Sequence, residues 1–285
     1  MKFWSLRVAA LSVLFLAQAA CAQSPRVLHT EQSKFEKIVV YEQAGDRCMK
    51  FGSLESSGRQ TCLNVEKPKT LLFDYTRMML GALYLKPDVQ RILIVGLGGG
   101  SLPTALHSLL PQAQIDTVEI DPAVVAVARR YFHYKTDALQ QVHVADGRAF
   151  VQQAVRNNVR YDLVMLDAFD VNYIPPHLLT REFLTEVKRL LTPDGVLAAN
   201  TFSASSMYED ESETYAAVFG PYYNLRSANR VILASAGRLP SLDEIKQNAA
   251  RLGAVMLPLG VSDAELLPKF STRKDWSDSA KVLTD

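Results

Sequence analysis

Apolar and polar positions alternate in two short stretches near the start of the chain, residues 37–51 and 59–63, with a break at Ala44-Gly45-Asp46. A period of two interrupted by turn residues predicts a small antiparallel unit of strands. The spacing then changes. Residues 71–85 carry apolar side chains at helical intervals along their whole length and predict one well-buried helix. Further on, short β-rich segments at 91–95, 115–119, 141–145, 161–166 and 196–201 are strand candidates, separated by helical segments. Asp121 caps one of these helices with Pro122 at its first position, and Thr180 caps another that runs to Leu191. Apolar strands alternating with helices predict an α/β fold, a doubly wound and mostly parallel sheet covered on both faces. Residues 222–226 and 230–234 read as a closing hairpin, and 241–252 as a capped helix ended by Gly253. The last thirty residues carry little signal. This reading divides the chain into an N-terminal small β domain (23–70), an α/β domain (71–240) and a C-terminal helical extension (241–285).

The first 22 residues stand outside that pattern. Lys2 and Arg7 precede an apolar run over 8–20, broken only by Ser12 and Gln18, and small residues close it at Ala20-Cys21-Ala22. The run is shorter than the roughly 20 apolar residues a membrane-spanning helix needs. A basic start, a short apolar centre and an Ala-x-Ala end predict an export signal cleaved after Ala22, and a periplasmic mature protein. The alternative is a lipoprotein signal with Cys21 as the lipidated residue. Cys48 and Cys62 are then the only cysteines of the mature chain, and an exported protein folds where disulfides persist. They flank the turn-rich stretch 52–58, which suggests a bridge across a hairpin; two buried free thiols are the alternative.

Composition narrows the class without choosing within it. The chain has 285 residues, 48% hydrophobic and 21% charged, with a formal charge of +1. That excludes a disordered polymer and a strongly basic nucleic-acid binder, and it gives no long-range pull toward anionic membrane.

Chemistry in an open α/β sheet gathers beyond the carboxyl ends of the strands. Gly96-Leu97-Gly98-Gly99-Gly100-Ser101 follows the strand at 91–95, where glycines let backbone amides approach a ligand and open a helix toward it. No Lys follows, so this is not the phosphate loop of the nucleotide triphosphatases. Glu119 ends the next strand, 21 residues after Gly98, placed to accept both hydroxyls of a ribose. Asp146-Gly147 follows the third strand, within reach of an adenine edge. Asp167 and Asp170 follow the fourth. Two carboxylates three residues apart hold a cation and take a proton from it, each raising the other's pKa. A nicotinamide cofactor needs no such acids near its reacting carbon. A sulfonium donor and an ammonium acceptor both fit them.

As a set, the residues of the glycine loop, Val118-Glu119-Ile120-Asp121, Asp146-Gly147-Arg148-Ala149-Phe150 and Asp167-Ala168-Phe169-Asp170 resemble the spermidine/spermine synthases, the polyamine aminopropyltransferases. The likeness covers about 71–201, including Pro175-Pro176-His177-Leu178-Leu179-Thr180. It implies a Rossmann-like sheet of the class I methyltransferase type behind a small N-terminal β domain. It implies that Gly96, Gly98 and Gly100 wrap a decarboxylated S-adenosylmethionine donor, that Glu119 takes its ribose, and that Asp146 and Gly147 take its adenine. Asp167 would then sit beside the sulfonium and aminopropyl region, and Asp170 would deprotonate the attacking amine. Tyr75 and Asp74 stand where the family's lead-in helix carries other substrate-binding residues and either bind substrate in their place or simply pack, and Gly99 stands where the family usually carries Asp. The resemblance further implies a homodimer, with no metal. The rival readings are an S-adenosylmethionine-dependent methyltransferase on the same scaffold and a non-catalytic exported protein that binds the nucleoside or the polyamine. The five histidines show no metal-ligand spacing with one another or with cysteine, and no Gly-x-Ser-x-Gly elbow occurs.

Overall fold

A computed structural model describes residues 24–55, 58–169 and 173–285. The expected export segment, with Cys21 and Ala22, and the expected proton acceptor Asp170 lie outside the described residues.

The N-terminal strands β1 (Arg26–Gln32), β2 (Lys37–Gln43), β3 (Asp46–Phe51) and β4 (Thr61–Asn64) form an antiparallel sheet in sequence order. Ala44 and Gly45 both take positive φ, 52° and 83°, as a tight two-residue hairpin between β2 and β3 requires. The first strand has no counterpart in the hydrophobic pattern, because none of its residues is fully buried and period-two alternation needs a buried face. On one face of the sheet Ile38, Val40, Met49 and Leu63 pack against Val124, Val127 and Phe132. Cys48 and Cys62 lie directly opposite one another on β3 and β4 and are joined by a disulfide.

Residues 71–85 are not one helix. They form α1 (Asp74–Leu80) and α2 (Ala82–Leu85), which meet at Gly81. Residues 71–73 stay outside because their backbone is used elsewhere: the Leu71 amide donates to Leu259, and Arg77 Nη1 donates to the Leu71 carbonyl at 2.7 Å. Gly81 leaves room for the Phe270 ring, which a Cβ would approach to 3.2 Å.

The rest of the chain alternates as β5 (Arg91–Val95), α3 (Ser101–Leu109), β6 (Gln114–Glu119), α4 (Pro122–Tyr131), β7 (Gln140–Val144), α5 (Gly147–Arg156), β8 (Tyr161–Leu166), α6 (Arg181–Leu190) and β9 (Leu191–Phe202). Then come α7 (Tyr208–Phe219), β10 (Tyr223–Arg226), β11 (Asn229–Ser235), α8 (Leu242–Met256) and α9 (Asp263–Leu266). The seven strands stand in the order β10-β11-β9-β8-β5-β6-β7. Pairings from β9 to β7 are parallel, and the β10–β11 hairpin adds two antiparallel strands at one edge. This is a mostly parallel Rossmann-like sheet with an apolar core on each face. Asp121 and Thr180 cap α4 and α6 with their side chains. Helix α8 does not stop at Gly253. It continues to Met256, and Gly253 instead makes room for the Asp263 carboxylate, whose oxygen a Cβ would meet at 2.5 Å. One polar feature crosses this core: Arg230, fully buried on β11, donates to Glu211 at 2.6 Å, Ser212 at 2.6 Å and Thr201 at 2.7 Å. No described helix is long and apolar enough to cross a membrane.

Candidate active site

Chain order around β5 opens a crevice at the carboxyl ends of the strands. From β5 the chain moves outward to β6 and β7, then returns to β8 on the other side, so the loops after β5 and β8 diverge. A cavity of about 250 Å³ lies there. That is near the lower end, roughly 300 Å³, of ordinary ligand pockets.

The glycine loop forms one wall. Gly96 takes φ +101°, and a Cβ on it would fall 2.2 Å from the carbonyl oxygen of Asp167, so only glycine lets the two loops touch. Gly98 and Gly99 line the cavity with it. Gly100, expected with them, has a different place: it precedes α3 in a left-handed conformation against the Tyr134 ring and is absent from the described lining.

Glu119 reaches across from the end of β6. Its two carboxylate oxygens accept from the Leu97 and Asp121 amides, both at 3.0 Å, and burial pushes its pKa up. An ionised carboxylate has about four lone-pair sites. Each oxygen therefore keeps one for a diol. At the end of β7 the Asp146 side chain caps α5 through the Ala149 amide at 2.8 Å, and its other oxygen meets His177 Nε2 at 3.2 Å. Gly147 lies against Val95, where a Cβ would come within 2.6 Å.

Asp167 stands at the end of β8, held by two neutral donors. Asn200 Nδ2 donates to one oxygen at 2.8 Å and the Tyr75 hydroxyl to the other at 3.4 Å. Asn229 Nδ2 in turn donates to Asn200 Oδ1 at 3.0 Å, which fixes the amide's orientation. Burial pushes the Asp167 pKa up to about 7, with the Asn200 and Tyr75 bonds opposing it. Such a carboxyl is balanced between its two forms at neutral pH, and a cation placed beside it drives it to the charged one. Asp74 does not join this group. Its carboxylate accepts from Arg77 at 2.7 Å and lies 3.8 Å from Lys269.

Gly96, Gly98, Glu119, Asp146, Gly147, Asp167 and Tyr75 thus line one cavity. The sequence reading gave no site role to Asn200, to His177, or to Gln60 and Thr61 from the N-terminal sheet. Thr61 fills the space beside Gly99, where a Cβ would come 2.6 Å from its methyl. Its hydroxyl lies 3.3 Å from that of Ser101. Among the described residues no group of three His, Cys, Asp or Glu is gathered as a metal would require.

The spermine/spermidine synthase domain matches residues 72–223. A polyamine aminopropyltransferase of Vibrio vulnificus is 41% identical over 282 residues, 97% of this chain and 94% of that protein. Among solved structures, a probable spermidine synthase from Corynebacterium glutamicum superposes with a TM-score of 0.67 at 17% identity, covering 89% of this chain and 98% of the other. Human methyltransferase-like protein 13 in complex with SAH gives 0.59 at 26% identity, over 73% and 96%.

Proposed function

Because the chain belongs to the spermine/spermidine synthase family, we propose that it transfers an aminopropyl group from decarboxylated S-adenosylmethionine to a polyamine acceptor. The observation that carries the reading is the convergence of Glu119, Asp146 and Asp167 on one glycine-walled cavity from the ends of three strands. Glu119 is the ribose ligand, Asp146 and Gly147 receive the adenine, and Asp167 faces the sulfonium and the chain to be transferred. Asp170 takes the proton of the attacking ammonium, since an alkylammonium has no lone pair at neutral pH. The freed nitrogen lone pair forms a bond to the methylene carbon attached to sulfur. The carbon–sulfur bond breaks with its electrons left on sulfur, and the product nucleoside is a neutral thioether.

Charge favours this order of events. Two cations brought together repel one another, and the Asp167 carboxylate between them offsets that cost. Its elevated pKa is an asset here, because donor binding itself completes the ionisation. Holding nitrogen, carbon and sulfur in line supplies a large part of the rate, up to ~7–11 kcal/mol in well-oriented systems.

The test is to supply the purified mature chain with decarboxylated S-adenosylmethionine and a diamine and to follow 5′-methylthioadenosine. Its formation is the expected result. S-adenosylhomocysteine formed from intact S-adenosylmethionine and an amine would replace this reading with methyl transfer. Amine binding with no nucleoside binding would replace it with a non-catalytic protein. Asp170→Asn should abolish transfer and leave the dissociation constant for 5′-methylthioadenosine within about twofold; surviving transfer would overturn the base assignment. Export belongs to the same proposal: the chain is expected in the periplasm with its first residue at Gln23, which the mass of the isolated protein checks.

A further inference from the structure

The last residues of the chain are fastened to the helices behind the adenine end of the cavity. The Lys281 amide donates to Asp210 at 2.8 Å and the Leu283 amide to Thr214 at 2.9 Å, both on α7. The Leu283 carbonyl accepts from the Arg181 amide at 2.8 Å, at the start of α6. Asp285 then meets Arg148 in a two-pronged pair, both N–O distances 2.7 Å, while its first oxygen also accepts from Thr180 at 2.7 Å. Arg148 comes from the first turn of α5, directly after Asp146-Gly147. It holds Glu186 at 3.2 Å and the His177 carbonyl at 3.3 Å. His177 in turn meets Asp146, and with Pro175 and Leu178 it lines the cavity.

From this chain of contacts we infer that Arg148 and Asp285 are positioning residues for the nucleoside half of the site. They hold the turn 175–178 against the first turn of α5, and so set the width of the slot between His177 and Asp146. The inference rests on the proposed placement of adenine at Asp146 and Gly147. Three features separate this pair from an ordinary surface ion pair, whose worth is small. It is bidentate, the Arg148 side chain is only 14% exposed, and the same carboxylate completes the capped N-terminus of α6 through Thr180. Arg148 and Thr180 also hold the Asp285 carboxyl down to about 2, so the clasp keeps its charge across the working range of pH.

The clasp touches neither the transferred group nor the acceptor, so its loss should appear in one kinetic constant. Asp285→Ala and Arg148→Lys, which retains the charge but not the fork, should each raise the donor KM and the dissociation constant for 5′-methylthioadenosine roughly tenfold. At saturating donor, kcat and the acceptor KM should stay within about twofold of the parent. Asp285→Glu, which restores a carboxylate, should recover most of the affinity. Unchanged nucleoside affinity in the first two variants would overturn the inference, and so would a joint loss of kcat, both KM values and melting temperature, the mark of a merely structural role. A parent chain that makes no 5′-methylthioadenosine but binds it, with weaker binding in the variants, would sink the proposed reaction and leave the clasp standing. A parent that does not bind it at all would sink both.

Discussion

Asp167 works through its neighbours. With a pKa of about 7 it loses its proton as pH rises through neutrality, and only the charged form attracts two cations. The specificity constant kcat/KM should therefore rise with pH through neutrality and level off only well above 7, where the carboxyl is fully ionised, since it reports ionisations of the free enzyme. Asn200 donates to the charged form and holds the pKa down. Asn200→Ala should move the rising limb upward by about one unit, the equivalent of one hydrogen bond to a charged group. A pH–rate profile of the variant decides it, and an unmoved limb would mean that Asp167 does not govern binding. Gly99 makes the opposite case, of a residue defined by what it excludes. The family resemblance leads to an expectation of Asp there, but Thr61 and the Phe132 ring stand 2.6 and 3.1 Å from any added Cβ. Gly99→Asp should not recover an acid for the donor; it should cost about 1–3 kcal/mol of stability as an overpacked site, measured by urea unfolding. At this scale the cavity lining by Gly96, Gly98, Glu119, Asp146, Gly147 and Asp167 was legible, because these residues follow strand ends; Gly100 and Asp74 were misplaced because their neighbours, Tyr134 and Arg77, are set by tertiary packing. Asn200 was not legible: an amide on a buried strand has no sequence signature apart from the partner it meets. Nor was Arg230, whose acid comes from a helix 19 residues earlier.

Strand β4 has four residues and yet joins three tasks. Thr61 fills the place beside Gly99, Cys62 is bound to Cys48, and Leu63 packs under α4. So short an edge strand has few ladder bonds of its own, and the disulfide, spanning 14 residues, supplies the constraint they lack. Cys48→Ala together with Cys62→Ala should cost about 3 kcal/mol, the typical effect for a loop of this size. The donor KM should rise as Thr61 loosens, and both effects should appear in the parent protein under reduction. Calorimetry with and without reductant checks the first. Most elements were legible from periodicity, best of all the central parallel strands β5 and β8, which are nearly continuous apolar runs. The failures have local causes. The helix expected over 71–85 shares its pattern with the observed pair, but tertiary bonds from Arg77 and Leu259 capture its first residues and Phe270 claims the space at Gly81. Gly253 reads as a terminator only when the Asp263 side chain packed on it is out of view.

On the scale of the whole molecule, the cavity belongs to neither sheet alone. Gln60 just before β4, Thr61 at its start, and Phe35 from the turn before β2 face the strand ends of the parallel sheet, so docking of the two finishes the enclosure. The sequence motifs lie entirely on the parallel side, which is why the contribution of residues 35–61 was invisible to them. A ligand seated there bridges the two sheets. Ligand at 100 times its dissociation constant stabilises the bound state by about 2.7 kcal/mol. That stabilisation falls on any opening that parts the sheets, whereas an opening confined to the far edge of the parallel sheet leaves the bound nucleoside in place. Amide hydrogens of β3 and β4 should accordingly exchange with deuterium about a hundredfold more slowly when 5′-methylthioadenosine is bound, while those of β10 and β11 keep their rates. The amino-terminal sheet would then serve as the sensor of occupancy, reporting on a nucleoside whose recognition groups lie almost wholly in the other half of the protein.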